Sequence, residues 1–273
     1  NYIGYGYFIM KWGLLIRLAF RNLSRNKRRN LISSVAIIAG VFAMVIGDGI
    51  VEGIDESVIR SQETVLGGHI LLQPKDYPKD RRNYPLKKTI PLDSELIEVL
   101  ESEEILAWTS RLYFRTRVIK GSDSIRVKTI GYDMKKEATV FAQEKWKIQG
   151  TWPMKPQEIA VGHSFATLLN IEIGQQLILE ARTRPGALNA LSYKVVGIVN
   201  AGNARVDSFT VWMPLNEVDS FIQTDEARSQ ISMIIKDGRA AANSVAKQLK
   251  HADWIATTAT DEVTDLLEIN KFR

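Results

Sequence analysis

The chain has 273 residues, 25% charged and 45% hydrophobic, which is enough for one large or two small folded domains and excludes a wholly disordered protein. Its formal charge is +5, but residues 1–30 hold seven basic side chains (Lys11, Arg17, Arg21, Arg25, Lys27, Arg28 and Arg29) and no acid, so the remaining residues sum to −2. Basicity confined to one end of a mildly acidic protein excludes a nucleic-acid-binding surface over the whole molecule, and the absence of cysteine excludes disulfides and thiolate chemistry.

Met10-Lys11 reads as a start, which sets residues 1–9 apart as an upstream or non-native segment. Residues 10–30 form a basic entry helix: Leu14, Leu15, Leu18, Ala19 and Leu23 share one side, and Arg17, Arg21 and Arg25 another. That division suits a helix lying on an inner membrane leaflet. Asn30 to Gly47 is then a run of 18 uncharged residues, apolar on every side. As a helix it measures about 27 Å, close to a hydrocarbon core of about 30 Å. Arg21, Arg25, Lys27, Arg28 and Arg29 form a collar that holds the N-terminus in the cytoplasm and sends the chain outward after Asp48. A cleaved signal peptide shares the basic-then-apolar order, but this run exceeds the usual 7–15 residues and its small-residue site near Ala43 lies inside it. A nucleic-acid arm is disfavoured because no aromatics interleave the basic residues.

Within the span, Ala36, Ala39, Gly40, Ala43 and Gly47 recur at helical spacing and admit a second span at close range. Asp48 and Glu52, one turn apart at the outer edge, are candidate vestibule acids, with ordinary interface acids as the alternative. No proline interrupts residues 48–66. Val51, Ile54, Val58 and Val65 lie near a seven-residue repeat, polar Ser61 and Gln62 fill the weak turn, and Gly67-Gly68 stops the helix. A helix over residues 31–66 would be about 54 Å long, so the excess beyond the bilayer forms a stalk. Residues 260–273, helical with Val263, Leu266, Leu267 and Ile269 apolar, are its expected partner, ending before a further span.

Between these helices the pattern is α+β. A strand at 69–74, a helix at 93–104 and strands on either side of Gly121-Ser122-Asp123 make one β-α-β-β unit, and strand, helix and strand after residue 229 make a β-α-β unit. The two flanks, 67–136 and 229–259, pair into a ferredoxin-like layer. Residues 137–228 are an inserted, mostly β subdomain with EIAVG, a helix FATLLN, strands QQLILEART and LSYKVVGIVNA, then SFTVWMPL and a helix NEVDSFI. Trp152-Pro153 reads as a packing loop, and the turns at 185–189 and 200–207 as loops facing a partner.

The order of these signals resembles the extracytoplasmic core domain of MacB-type (type VII, FtsX-like) ABC transporter permeases, a family of macrolide exporters, lipoprotein-releasing permeases and cell-division permeases. The matching residues are Glu158, Ile159, Gly162, Ala166 and Leu169, then Gly174, then Val195, Val196, Gly197 and Ile198, then Val211, Pro214 and Leu215. RNLSRNKRRNLISS resembles that family's entry into its first span. The resemblance implies a permease that passes ATP-driven motion to an outer domain for export, extraction or release of a substrate. It also implies an inner-membrane location, a second permease copy or paralogue, and ATP and magnesium on a separate ATPase subunit. The family carries four spans, so the last three are expected from a missing C-terminal half. No G-x-x-x-x-G-K-[ST] occurs in the chain.

Enzyme signals are weak. VGHSFA places Ser164 in a strand-turn-helix setting, followed by Asp207 or Asp237 and His251 in hydrolase order, but Ala166 replaces the second glycine of a nucleophile elbow. His69, His163 and His251 are isolated, without metal-ligand spacing. The expectation is no catalytic residue, no metal and no cofactor in this chain. The alternative class is a single-span receptor with an outer ligand domain, for which about 30 cytosolic residues supply no signalling module.

Overall fold

The computed structural model describes residues 13–18, 21, 25–75, 77, 84–141, 146–249 and 251–264, with the side chains of Val65, Leu66, Ala204 and Arg205 outside the description. The chain divides into two compact units, residues 1–57 and 58–273.

The first unit is dominated by helix α1 (Lys27–Ser61), whose 35 residues include none that is buried. Residues 13–18 are also helical and exposed, and the rest of the expected entry helix lies partly outside the described residues. Alanine, leucine, isoleucine and methionine without proline sustain α1, and from Leu31 to Gly47 it carries no charge on any side.

The second unit is α+β. A π-helical turn (Gln62–Gly67) ends the long helix and leads into β1 (Ile70–Pro74). Then come α2 (Ser94–Leu100), β2 (Ile105–Lys120), β3 (Asp123–Tyr132), α3 (Met134–Val140), β4 (Lys147–Gly150) and β5 (Glu158–Gly162). Helix α4 (His163–Leu169), β6 (Gln176–Arg182), β7 (Leu188–Asn200), the turn of helix α5 (Ala204–Asp207), β8 (Thr210–Pro214) and α6 (Leu215–Ile222) come next. Strand β9 (Gln230–Ile235), α7 (Gly238–Gln248) and β10 (Trp254–Thr258) complete the sheet, and the backbone is helical again over 259–264.

Strands β10, β1, β9 and β2 lie side by side, each antiparallel to its neighbour. Because α2 links β1 to β2 and α7 links β9 to β10, this is the interleaved order of a ferredoxin-like layer. One face carries the apolar residues of alternating positions. Ile70 and Leu72, Ile231, Met233 and Ile235 meet Leu96 and Leu100 of α2 and Ala242, Val245 and Ala246 of α7. Asp93 caps α2 by accepting from Leu96 N at 2.9 Å. The helix ends at Leu100 rather than reaching Glu104, because Glu101, Glu103 and Glu104 would place three negative charges at the negative end of its dipole.

The remaining strands close on themselves. β2 pairs β3, β3 pairs β8 in parallel, β8 pairs β5, β5 pairs β7 in parallel, β7 pairs β6, and β6 returns to the far half of β2. This ring of six strands is a small barrel, two strands of which belong to the long hairpin β2–β3 that also edges the ferredoxin-like layer. Its interior is filled by Leu112, Phe114, Val118, Leu177, Leu179, Tyr193, Val195 and Val211, with Val218, Phe221 and Ile222 of α6 and Phe165 of α4 packed against them. Gly131 on β3 leaves room for α6, since a Cβ there would come within 2.8 Å of Val218. Beside the barrel, Trp146, Trp152, Trp212 and Tyr132 form an aromatic cluster with ring centroids 5.6–6.5 Å apart. Trp152 is thus a packing residue.

Candidate functional site

The feature that singles itself out is the root of the long helix, residues 58–68, where apolar seam residues give way to Ser61-Gln62-Glu63-Thr64. These polar residues are not a weak turn of a continuing seam but the part of the helix that the outer domain grips. Arg239, in the first turn of α7, donates from Nε and Nη2 to the two carboxylate oxygens of Glu63 at 2.6 and 2.8 Å. Asn203 donates from Nδ2 to Ser61 Oγ at 3.0 Å, and Gln62 between them is buried. The turn at 200–207, expected to face a partner, therefore meets this chain's own helix root. It is shaped for that by Asp207, whose carboxylate accepts from Ala201 N (2.7 Å) and Asn203 N (3.0 Å). On the other side Gly68, at φ +71, lies so close to β9 that a Cβ would stand 2.7 Å from Met233 O. His69 N donates to Met233 O at 2.8 Å, and its Nδ1 accepts from Ile235 N at 3.1 Å.

The other residues singled out in the sequence remain apart from this cluster. Arg21, Arg25, Lys27, Arg28 and Arg29 are exposed, as are Ala36, Ala39, Gly40, Ala43 and Gly47, and nothing lies within 4 Å of a Cβ built on Gly40 or Gly47. Asp48 and Glu52 are exposed, and so are Val51, Ile54 and Val58 of the seam. The side chain of Val65 lies outside the described residues, as does most of the second stalk helix beyond Thr264.

The hydrolase trio is dispersed. Ser164 is exposed on α4 and Asp207 serves its own loop, while His251 stacks on Trp254 with centroids 3.9 Å apart, at the β10 edge of the sheet. Gly162 has a packing reason instead: a Cβ there would stand 2.3 Å from Asp207 O. Ala166 is buried and Leu169 packs on the barrel core, the inward packing that replaces an elbow. Among the described residues no group of three His, Cys, Asp or Glu side chains is arranged to hold a metal.

Two features were not visible in sequence. The first is a buried brace: Arg111 of β2 donates from Nε and Nη2 to Glu137 of α3, both at 2.7 Å, and from Nη1 to Tyr113 Oη at 3.1 Å. The guanidinium stands 3.9 Å from the centre of the Phe141 ring. Burial works against its charge, but the Glu137 carboxylate and Tyr113 together outweigh that and hold Arg111 above the usual arginine range. The second is a groove between α3 and α6, made of two adjoining cavities of about 330 and about 450 Å³ that share Asp133, Leu215 and Asn216. One end is lined by Met134, Pro153, Met154 and Pro214, the other by Trp108, Lys136, Asp219 and Arg228. Arg228 grips Asp219 at 3.0 and 3.1 Å, and Lys136 Nζ stands 3.1 Å from the centre of the Trp108 ring. Burial lowers the Lys136 ammonium against the pull of Asp133 and Glu101.

A ferredoxin-like layer merged with a small barrel, entered by a long unburied apolar helix, defines a helix-tethered outer domain. Residues 31–252 match the MacB-like periplasmic core domain, and the chain belongs to that family. Its fold is similar to the periplasmic region of MacB from Actinobacillus actinomycetemcomitans, at 16% identity and a TM-score of 0.52, over 73% of this chain and 92% of that one. A second solved structure, the extracellular domain of the noncanonic ABC-type transporter YknZ from Gram-positive bacteria, aligns at 10% identity and a TM-score of 0.47, over 69% of this chain and 99% of that one. No curated protein matches the chain in sequence. The family makes the sheet-bearing unit that follows α1 an extracytoplasmic domain of the ABC-permease type.

Proposed function

We propose that this chain is the N-terminal part of an ABC transporter permease that passes ATP-driven motion through its first span to the outer domain, which handles a substrate outside the membrane. The observation that carries this is a single uninterrupted helix. Its most apolar 18-residue window has no buried residue, and it runs into a polar root clasped by Arg239 and Asn203. An apolar helix with no protein cover calls for a bilayer, and the clasp at its root is the place where its motion would reach the outer domain. The collar at Arg21, Arg25, Lys27, Arg28 and Arg29 sets the N-terminus in the cytoplasm. Ala36, Ala39, Gly40, Ala43 and Gly47 receive another span, from a second copy or from the three further spans. Val51, Ile54, Val58 and Val65 form the stalk seam beyond Asp48 and Glu52. ATP and magnesium belong to a separate subunit.

Alkaline extraction tests the span: the full-length chain stays with the membrane pellet, and its release into the soluble fraction would refute the reading. Transmission is tested in the assembled transporter by hydrogen exchange over residues 58–75, without nucleotide and after vanadate trapping. The two states differ, and a flexible Gly/Ser insertion after Asp55 erases the difference. Identical exchange in the two states of the unmodified transporter rejects transmission through this helix.

A further inference from the structure

The turn that joins the long helix to the sheet is not α-helical. Gln62–Gly67 is a six-residue π-helix, closed by Gly68 N donating to Glu63 O, five residues back, at 3.1 Å. A π turn is in effect an α turn that holds one residue too many, and such turns are frequent at functional places. Both ends of this one are fixed by named contacts. After the turn, Gly68 is pressed against Met233 and His69 N is bonded to its carbonyl. Before and within it, the clasps come from two parts of the outer domain: Arg239 from the ferredoxin-like layer, and Asn203 from the loop leaving barrel strand β7. Gln62 is packed inside the turn, its Nε2 3.2 Å from where a Cβ on Gly67 would lie.

We propose that this π turn is a register joint with two forms. In the form seen in the structure the extra residue is held in the turn by the Glu63–Arg239 and Ser61–Asn203 contacts. In the other it passes out, the turn becomes α-helical, and Val58–Ser61 shift by one residue relative to Gly68. One residue of α-helix corresponds to about 1.5 Å of travel and about 100° of rotation. A partly exposed ion pair and one neutral hydrogen bond are modest contacts, so they bias the joint without freezing it. Because the clasps belong to the layer and to the barrel, a displacement of one against the other selects the form. The joint rests on the transmission reading for its use, but not for its existence.

Two measurements decide it in the full transporter, where the absence of native cysteine in this chain gives clean labelling. Spin labels at Val58→Cys and Asn243→Cys report two distance populations a few ångström apart, whose ratio changes on vanadate trapping. Deleting Thr64 removes the extra residue, so the variant inserts and folds as the wild type does, shows one distance only, and loses the nucleotide-linked change. A single unchanging distance in the wild type overturns the proposal. So does a Thr64 deletion that folds and keeps the nucleotide-linked change; where the deletion does not fold, the wild-type distances decide alone. If the two populations are present but indifferent to nucleotide, the joint stands and its coupling to ATP is overturned.

Discussion

The span and the barrel interior draw on the same residue types, yet meet opposite surroundings. Ile32, Ile37 and Phe42 are 70%, 66% and 65% exposed, whereas Val161, Val195 and Phe221 are fully buried. In the barrel, burial of apolar area stabilises the fold by roughly 25 cal/mol per Å² and the strands satisfy one another's backbone groups. In α1 the backbone is satisfied internally, but none of that apolar area is removed from water by the protein. Soluble monomers do not tolerate a continuous exposed apolar surface of this kind. The outer domain therefore carries its own stability, and the helix takes its stability from whatever surrounds it. A change on one side of that divide should leave the other unmoved.

The largest effect is expected at the Arg111–Glu137 brace. Glu137→Ala leaves a buried guanidinium without its carboxylate, at a cost of about 3–5 kcal/mol. For an outer domain of this size that lowers the unfolding temperature by on the order of 10 °C, read by near-ultraviolet circular dichroism of the full chain in detergent. Membrane retention is unchanged. Loss of retention along with folding would show that the two regions are not independent. Next is Ile38→Asp at mid-span, where a carboxylate costs about 2.5–3.5 kcal/mol of insertion, roughly a hundredfold in the insertion equilibrium constant, and so lowers the membrane-integrated fraction. The unfolding temperature of the outer domain stays where it was. An unaltered membrane fraction would contradict the assignment of α1 to the bilayer.

Legibility in the sequence divides along the same line. The long apolar helix was legible because 18 uncharged residues after a basic run form a local pattern, and the ferredoxin-like layer because β1, α2, β9 and α7 each form within a short stretch and follow in the order of its two halves. Barrel closure was not. It depends on Arg117, Val118 and Ile119 pairing with Glu180, Leu179 and Ile178, some 60 residues on, and no local period encodes a pairing at that distance. Helix α3 was missed because seven residues with three charges (Lys135, Lys136 and Glu137) show no apolar stripe, and one of those charges is in fact buried. At the helix root the sequence pattern marks the right residues but not what they do. Ser61 and Gln62 looked like tolerated polar positions in a seam, because the side chains that grip the root, Asn203 and Arg239, stand more than 140 residues away.

Alkaline pH separates the regions more gently. Burial, reinforced by the charge of Glu137, pushes the Tyr132 phenol well above its ordinary value, and burial beside Glu217 does the same to Tyr193. The folded state then keeps protons that the unfolded chain begins to lose near pH 10. Stability is full below that pH and declines as pH rises through it, by about 1.4 kcal/mol per pH unit for each such phenol. Urea unfolding of the outer domain between pH 9 and 11 should show the decline, and Tyr132→Phe should lessen its slope. An equal slope in the variant would place the titration elsewhere.

The smallest effect contrasts the helix starts. Helix α2 begins as an isolated helix should, with the Asp93 carboxylate accepting from Leu96 N and acidic Glu95 in its first turn. Helix α1 begins with Lys27, Arg28 and Arg29 and has no acid in its first turn, so its charges oppose its own dipole. Under the proposed function those residues serve topology rather than helix stability. Asp93→Ala should cost about 1 kcal/mol, a fall of about 3 °C in the unfolding temperature of the outer domain. Replacing Arg28 and Arg29 by Gln should relieve the dipole and leave that temperature unchanged, while protease added to sealed inside-out vesicles begins to reach the outer domain. If the arginine variants alter domain stability and leave orientation intact, the collar serves the fold, and the separation between the two regions fails at its first residues.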